Sequence, residues 1–166
     1  MTQCMPKGTA YRELAAFRYE IRRYVNFSEQ AARAAGTEPQ QHQALLAIKG
    51  LPQGVSATIG ALAERLQIHH HSAVELADRL EANRLIRRLR GRTDHREVLL
   101  QLTSRGESLL RRLSQVHRAE LRLAGPKLLE ALAAAIGRNR RARGSCGATR
   151  SEARAMRLEK LPRRGR

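Results

Sequence analysis

Residues 58–102 read TIGALAERLQIHHHSAVELADRLEANRLIRRLRGRTDHREVLLQL, and the changes of pattern inside that stretch decide the fold. Thr58 can cap a short helix that turns Ile59, Leu62, Ala63 and Leu66 inward. After a turn near Ile68 and His69, a second helix runs to about Asn83 with Ala73, Leu76, Ala77 and Leu80 inside. Two short helices, a tight turn and small residues where they approach describe a helix-turn-helix. The period then drops to two. Leu85 to Arg90 starts as a strand, Gly91 to His95 is polar and turn-rich, and Glu97 to Leu102 returns as a second strand. A β-hairpin directly after a helix-turn-helix is a winged helix.

Long amphipathic segments flank this lobe. From Tyr11, the residues Leu14, Phe17, Ile21 and Tyr24 fall three and four apart, with Val25 and Phe27 thickening the stripe. This predicts one helix through about Ala35, ended by Gly36. Its nearly seven-residue spacing implies packing on a second helix or on a second subunit. In the next helix Thr37 is placed to cap, Pro39 sits in the first turn and Gln40 takes the reciprocal capping position. Leu45, Leu46 and Ile48 form its inner face. Gly50, Pro52 and Gly54 break the chain before Val55 to Ile59, which reads as a short pairing segment. Beyond the hairpin, Thr103 or Ser104 caps a long helix, Ser104 and Glu107 fitting a capping box. Leu109, Leu110, Leu113, Val116, Leu121 and Leu123 give its stripe. Gly125-Pro126 interrupts or kinks it, and residues 127–136 read as a final helix.

Composition agrees with a mainly α fold. The 166 residues are 42% hydrophobic but hold only five aromatics and no Trp, so the core is built from Leu, Ile, Val and Ala. No window approaches the ~20 apolar residues of a membrane span, and residues 1–10, a loose leader, lack a secretory apolar stretch. Cys4 and Cys146 form no disulfide framework and no paired metal motif. The expectation is a cytoplasmic protein without cofactor. The net charge of +17 divides between residues 1–136, which carry +8, and residues 137–166, which carry +9. Such a balance favours polyanionic partners. The tail from Gly137 has too little apolar surface to offset chain entropy, which predicts disorder or marginal helix there.

Two pieces at this spacing resemble one family. Asp94-His95-Arg96, a strand, and Leu102-Thr103-Ser104-Arg105-Gly106 match an Asp-x-Arg wing followed by Leu-Thr-x-x-Gly opening a long helix. Asp78-Arg79-Leu80-Glu81 matches the end of a recognition helix. Together they resemble the MarR (multiple antibiotic resistance regulator) family of bacterial winged-helix transcription factors, over roughly residues 11–136. The resemblance implies a homodimer on double-stranded DNA, with residues 11–35 and 104–136 as N- and C-terminal dimerisation helices around a lobe at 37–103. It also implies that Arg96 enters the minor groove with Asp94 positioning it, and repression as the usual mode. The tail after Gly137 does not match the C-terminal dimerisation helix with which family members usually continue.

The candidate contacts divide by chemistry. A recognition helix of about 18 Å fits a major groove. With its four apolar residues inward it presents His70, His71, Ser72, Val74, Glu75 and Asp78, whose hydroxyl, imidazole, carboxylate and methyl groups can read base edges. The alternative is a solvated face. In the hairpin, Arg84, Arg87, Arg88, Arg90, Arg92 and Arg96 stand against Asp94 alone; arginine favours the potential of a narrow minor groove. Arg92, near the tip, is a phosphate contact, and Asp78 is a second candidate brace for Arg96. Three consecutive imidazoles, His69 to His71, point about 100° apart on a helix and cannot converge on one metal ion. Family members often answer to small phenolic or anionic effectors, which places Tyr19, Arg23 and His42 as candidate ligand contacts; an ordinary helix residue is an equal reading of His42. Neither cysteine stands where redox-sensing relatives carry theirs, although an Arg-flanked Cys146 could have a lowered pKa. No Gly-x-Ser-x-Gly elbow, phosphate-binding glycine loop or His-Glu-x-x-His motif is present, so an enzyme is not expected. The rival to a specific regulator is a non-specific basic nucleic-acid-binding or RNA-associated protein driven by the tail.

Overall fold

The computed structural model describes residues 7–90 and 98–137. Its elements are α1 (Lys7–Ala34), α2 (Pro39–Lys49), α3 (Ile59–Leu66), α4 (His70–Ala82), β1 (Ile86–Arg90), β2 (Val98–Leu102) and α5 (Ser104–Ala135). The order is that of a winged helix-turn-helix between two long helices. The described residues divide into two compact units: one within Tyr24–Leu123, and a second formed by residues 7–23 with 124–137.

The core lies in the unit Tyr24–Leu123. Ala44, Leu45 and Ile48 of α2 meet Leu62 and Ala63 of α3, the four inward residues of α4, Leu85 and Ile86, Leu100 and Leu102, and Leu109, Leu110 and Leu113 of α5. All four residues expected inside α4 are buried, two of them alanines that let α3 close on it. Ile59 and Leu66 are half-buried at its margin. Of the residues expected on the inner face of α2, Leu46 departs, and the apolar stripes of the two long helices are covered only in part. Leu46 is 51% exposed, and Leu121 and Leu123 of α5 are exposed as well. On α1, Leu14, Ile21 and Val25 are exposed, whereas Phe17, Tyr24 and Phe27 are half-buried. A helical stripe marks which face is apolar; whether the same chain covers it depends on what else that chain brings.

The caps also depart from expectation. Helix α1 begins at Lys7, so residues 7–10 belong to it and not to a leader. At α2 the N-cap is Glu38, which makes no side-chain cap, while Pro39 takes the first turn. The Thr37 hydroxyl donates instead to Gln41 Oε1 at 3.0 Å. Thr58 caps α3 as expected, accepting from the Ala61 N–H at 3.1 Å. Residues 55–58 form no strand; a single bond from the Leu100 N–H to the Ala57 carbonyl, 2.7 Å, ties that segment to β2. Thr103 rather than Ser104 caps α5, its hydroxyl accepting from the Gly106 N–H at 3.1 Å. Glu107 is not a capping partner, because its carboxylate turns 2.6 Å from Lys49 Nζ. That contact holds the Glu107 carboxyl below its usual range, by hydrogen bond and by charge. Helix α5 runs unbroken through Pro126 and absorbs the segment expected as a separate helix.

The turn from α4 into the hairpin is the tightest junction. The Arg84 N–H bonds the Glu81 carbonyl at 2.8 Å and the Leu85 N–H bonds that of Leu80 at 2.9 Å, a Schellman closure with Arg84 at φ +57°. Thr103 then fixes the far side. Its N–H donates to the Leu85 carbonyl at 3.0 Å, and its hydroxyl to the Arg84 carbonyl at 2.7 Å. Strands β1 and β2 pair antiparallel from Ile86 with Leu102 to Arg90 with Val98.

Candidate nucleic-acid interface

Helix α4 and the hairpin supply the surfaces expected to meet nucleic acid. Thirteen residues make α4 about 20 Å long. Its N-cap is His69, which is extended at φ −66° and ψ 150° and makes no side-chain cap. His70, His71, Glu75 and Asp78 are exposed, while Ser72 and Val74 are half-buried against the lobe. The His69 and His71 rings stack with centroids 5.5 Å apart and planes 8° apart. Among the described residues no group of three His, Cys, Asp or Glu side chains is placed to hold a metal ion, and no helix is long and apolar enough to cross a membrane. Arg92, Asp94 and Arg96 lie outside the described residues.

Alternation along β1 decides what its arginines do. Ile86 and Arg88 share one face, and Ile86 is buried against the lobe. Arg88 is therefore carried over α4. Its guanidinium lies 2.6 Å from an Asp78 oxygen and 2.8 Å from a Glu81 oxygen. The Arg88 backbone N–H also donates to Glu81, at 3.1 Å. These contacts, the Asp78 hydrogen bond foremost, raise the already high pKa of Arg88. Asp78, a candidate brace for Arg96, is thus engaged by Arg88. Sequence reading grouped Arg88 with the other hairpin arginines opposed by Asp94 alone; its parity with Ile86 was the signal that could have revealed its partners on α4. Arg87, on the opposite face, crosses to Gln101 Oε1 at 2.9 and 2.7 Å through two guanidinium nitrogens. Arg90 is exposed. The pair of bridges from Arg88 locks the wing root onto the recognition helix. Arg88→Ala should therefore lower stability by about 1 kcal/mol. Urea unfolding checks this, and the loss should shrink at high salt.

The proposed effector residues have unlike settings. Tyr19 and Arg23 are exposed on α1, Arg23 bonding Glu20 at 2.9 Å. His42 is buried on α2 at 3% exposure, and its Nδ1 has no hydrogen-bond partner among the described residues. Its ring lies 4.6 Å from that of His117, tilted by 34°. His117 Nδ1 is 2.6 Å from the Leu113 carbonyl, which can only accept, so that nitrogen carries a proton. Its Nε2 is 2.8 Å from the Ser28 hydroxyl, and Tyr24 and Phe27 meet its ring edge-on. Burial, then the charge of His117, push the His42 pKa down to about 4. Burial, and then Glu120, raise that of Tyr24. No sequence signal links His117 to His42, since the two are far apart in the chain and join only by packing.

The fold defines a winged helix-turn-helix protein. A family model described as MarR family matches residues 35–97. Solved structures resemble the chain over most of its length. A MarR family protein from Bacillus stearothermophilus is 21% identical with a TM-score of 0.62, the match covering 71% of this chain and 80% of that one. AbsC, a MarR family transcriptional regulator from Streptomyces coelicolor, is 19% identical with a TM-score of 0.62, covering 87% of this chain and 99% of that one. MepR of S. aureus in complex with DNA is 21% identical with a TM-score of 0.56, covering 66% and 78%. Comparison with curated proteins gave no match. Over residues 35–97 the chain is similar to the MarR family, and the winged helix is the part of the fold that carries the similarity.

Proposed function

We propose that this protein is a sequence-specific, double-stranded DNA-binding transcriptional regulator that acts as a homodimer, most simply as a repressor. The observation that carries the reading is a MarR-family winged helix whose recognition helix and hairpin both offer exposed polar faces. Support for the ligand class comes from MepR, a fold relative solved on DNA. Bases are read by His70, His71, Ser72, Val74 and Glu75, with Arg92 on phosphate and Arg96, positioned by Asp94, in the minor groove. Support for a dimer comes from the apolar residues left uncovered on both long helices, among them Tyr11 at 70%, Leu123 at 77% and Leu129 at 67% exposure. Two lobes would then reach successive major grooves about 34 Å apart, on a pseudo-palindromic site. Release by a small phenolic or anionic effector, through Tyr19, Arg23 and His42, belongs to the same proposal.

Arg96→Ala tests the wing. Operator affinity at physiological salt should fall about ten- to a hundredfold while the dimer persists. Unchanged affinity overturns the wing assignment. The rival reading, non-specific binding through the tail, is favoured by the charge of +9 on residues 137–166. A chain lacking those residues should keep its preference for an operator, found by footprinting genomic fragments, over bulk DNA across a salt series. Loss of most binding on truncation would favour the rival.

A further inference from the structure

One groove in the unit Tyr24–Leu123 lies at the far end of α4 from His70. It encloses about 310 Å³ where the C-terminal end of α4 meets the starts of α2 and α5. That volume lies at the small end of ligand sites. Its walls include Arg105, Ser108 and Arg112 of α5 and Asn83, the C-cap of α4. Thr37 and Gln41 also line it, at 7% and 5% exposure. Asn83 stands at the opposite end of α4 from His70, about 20 Å away along the helix.

Three observations fix the ligand chemistry. No carboxylate lines the groove. Arg105 and Arg112 are exposed and take part in no ion pair among the described residues, whereas Arg23 and Arg33 each have one and Arg88 has two. Gln41 is more than nine-tenths buried, and its carbonyl oxygen takes the Thr37 hydroxyl. Its carboxamide nitrogen makes no hydrogen bond among the described residues, and the residue lines the groove. The arginines are seven residues apart, two turns or about 10.5 Å along α5, with Ser108 between them on the same face. Two guanidinium forks at that spacing, a hydroxyl and an amide N–H suit an anion with more than one charged group.

We propose that this groove binds a small polyanion of phosphate or carboxylate type, held between Arg105 and Arg112 with Ser108 and Gln41 as neutral donors. It shares no residue with the effector contacts Tyr19, Arg23 and His42. An anion there touches Asn83 and Leu85, the root of both the recognition helix and the wing.

Calorimetric titration of the full chain with inorganic pyrophosphate, and in a second arm with citrate, tests this without DNA. The outcome is therefore independent of the regulatory reading. Saturable binding near one per chain is expected in at least one arm, and the responding arm names the anion type. Arg105→Gln with Arg112→Gln should weaken it about ten- to a hundredfold. Gln41→Leu should weaken it severalfold. Arg111→Gln with Arg118→Gln removes the same charge from the same helix and should leave the affinity unchanged. Equal loss in the two double variants would reduce the effect to net charge and overturn the site. So would absence of saturable binding in both arms. The replaced arginines are all exposed, and matching thermal unfolding of both double variants confirms that the fold is kept.

Discussion

Gly106→Ala should cost the protein about 3 kcal/mol or more, a large share of the roughly 5–15 kcal/mol that holds a domain folded. A Cβ at Gly106 would sit 2.1 Å from the Leu85 carbonyl oxygen and 3.0 Å from its carbon. The intruded atom is backbone and cannot rotate away. That carbonyl is also pinned, because it accepts the Thr103 N–H at 3.0 Å and has the Thr103 hydroxyl at 3.2 Å. Relief requires moving the first turn of α5 off the root of β1. Such a movement breaks the Thr103 cap and loosens Leu109, Leu110 and Leu113 in the core. Urea unfolding of the variant measures the loss. Gly60→Ala is the control: its Cβ would meet only the Thr58 hydroxyl, at 3.8 Å, and should stabilise α3 by about 0.5–1 kcal/mol. A Gly106→Ala midpoint equal to that of the parent chain would remove the close approach from the account.

That contact explains why a local pattern carried so much of the fold. Leu102, Thr103 and Gly106 are one joint: Leu102 closes the sheet opposite Ile86, Thr103 caps α5, and Gly106 leaves room for Leu85. Each residue type is dictated by a neighbour within the motif or just across the hairpin, so the joint is legible in sequence. The inward face of α4 is legible for a like reason, since a period of 3.6 on a buried helix leaves few other arrangements. Partners distant in sequence were not legible. Thr37 could cap α2 from its position, yet its hydroxyl is drawn to Gln41 once both are buried. Glu107 fits a capping box, but Lys49 of α2 offers an opposite charge and prevails. The α5 stripe is legible as an apolar face, but periodicity does not say that this chain leaves Leu121 and Leu123 exposed. The candidate DNA contacts on α4 were legible as a face, whereas the engagement of Asp78 by Arg88 required the hairpin to be docked on α4.

The largest expected response to solution conditions comes from His42, which in sequence reads equally as a ligand contact or an ordinary helix residue. Acidification from neutral pH should destabilise the protein through this ring. A solvated imidazole takes its proton near pH 6.5, whereas His42 in the folded chain does so only at about 4. Between those values the unfolded chain binds a proton that the folded chain refuses, so stability falls as pH falls. The contribution is complete above about pH 6.5, declines through the window and is lost below about pH 4. Its full size is about 3 kcal/mol at 1.36 kcal/mol per pH unit. The cause lies in the geometry: a ring 3% exposed, with Nδ1 unpartnered, packed 4.6 Å from the His117 ring. His42→Leu fills a similar volume, keeps the apolar contact and removes the titrating nitrogen. Near pH 8 it should lie within about 1 kcal/mol of the parent, because the leucine also removes a buried polar atom that makes no bond. On descending to pH 4 the parent should lose about 3 kcal/mol more than the variant. Carboxylates titrate in both chains and cancel in that difference. Parallel stability curves for the two proteins from pH 7 to pH 4 would mean that His42 accepts its proton as readily folded as unfolded, which a closed pocket around it does not permit.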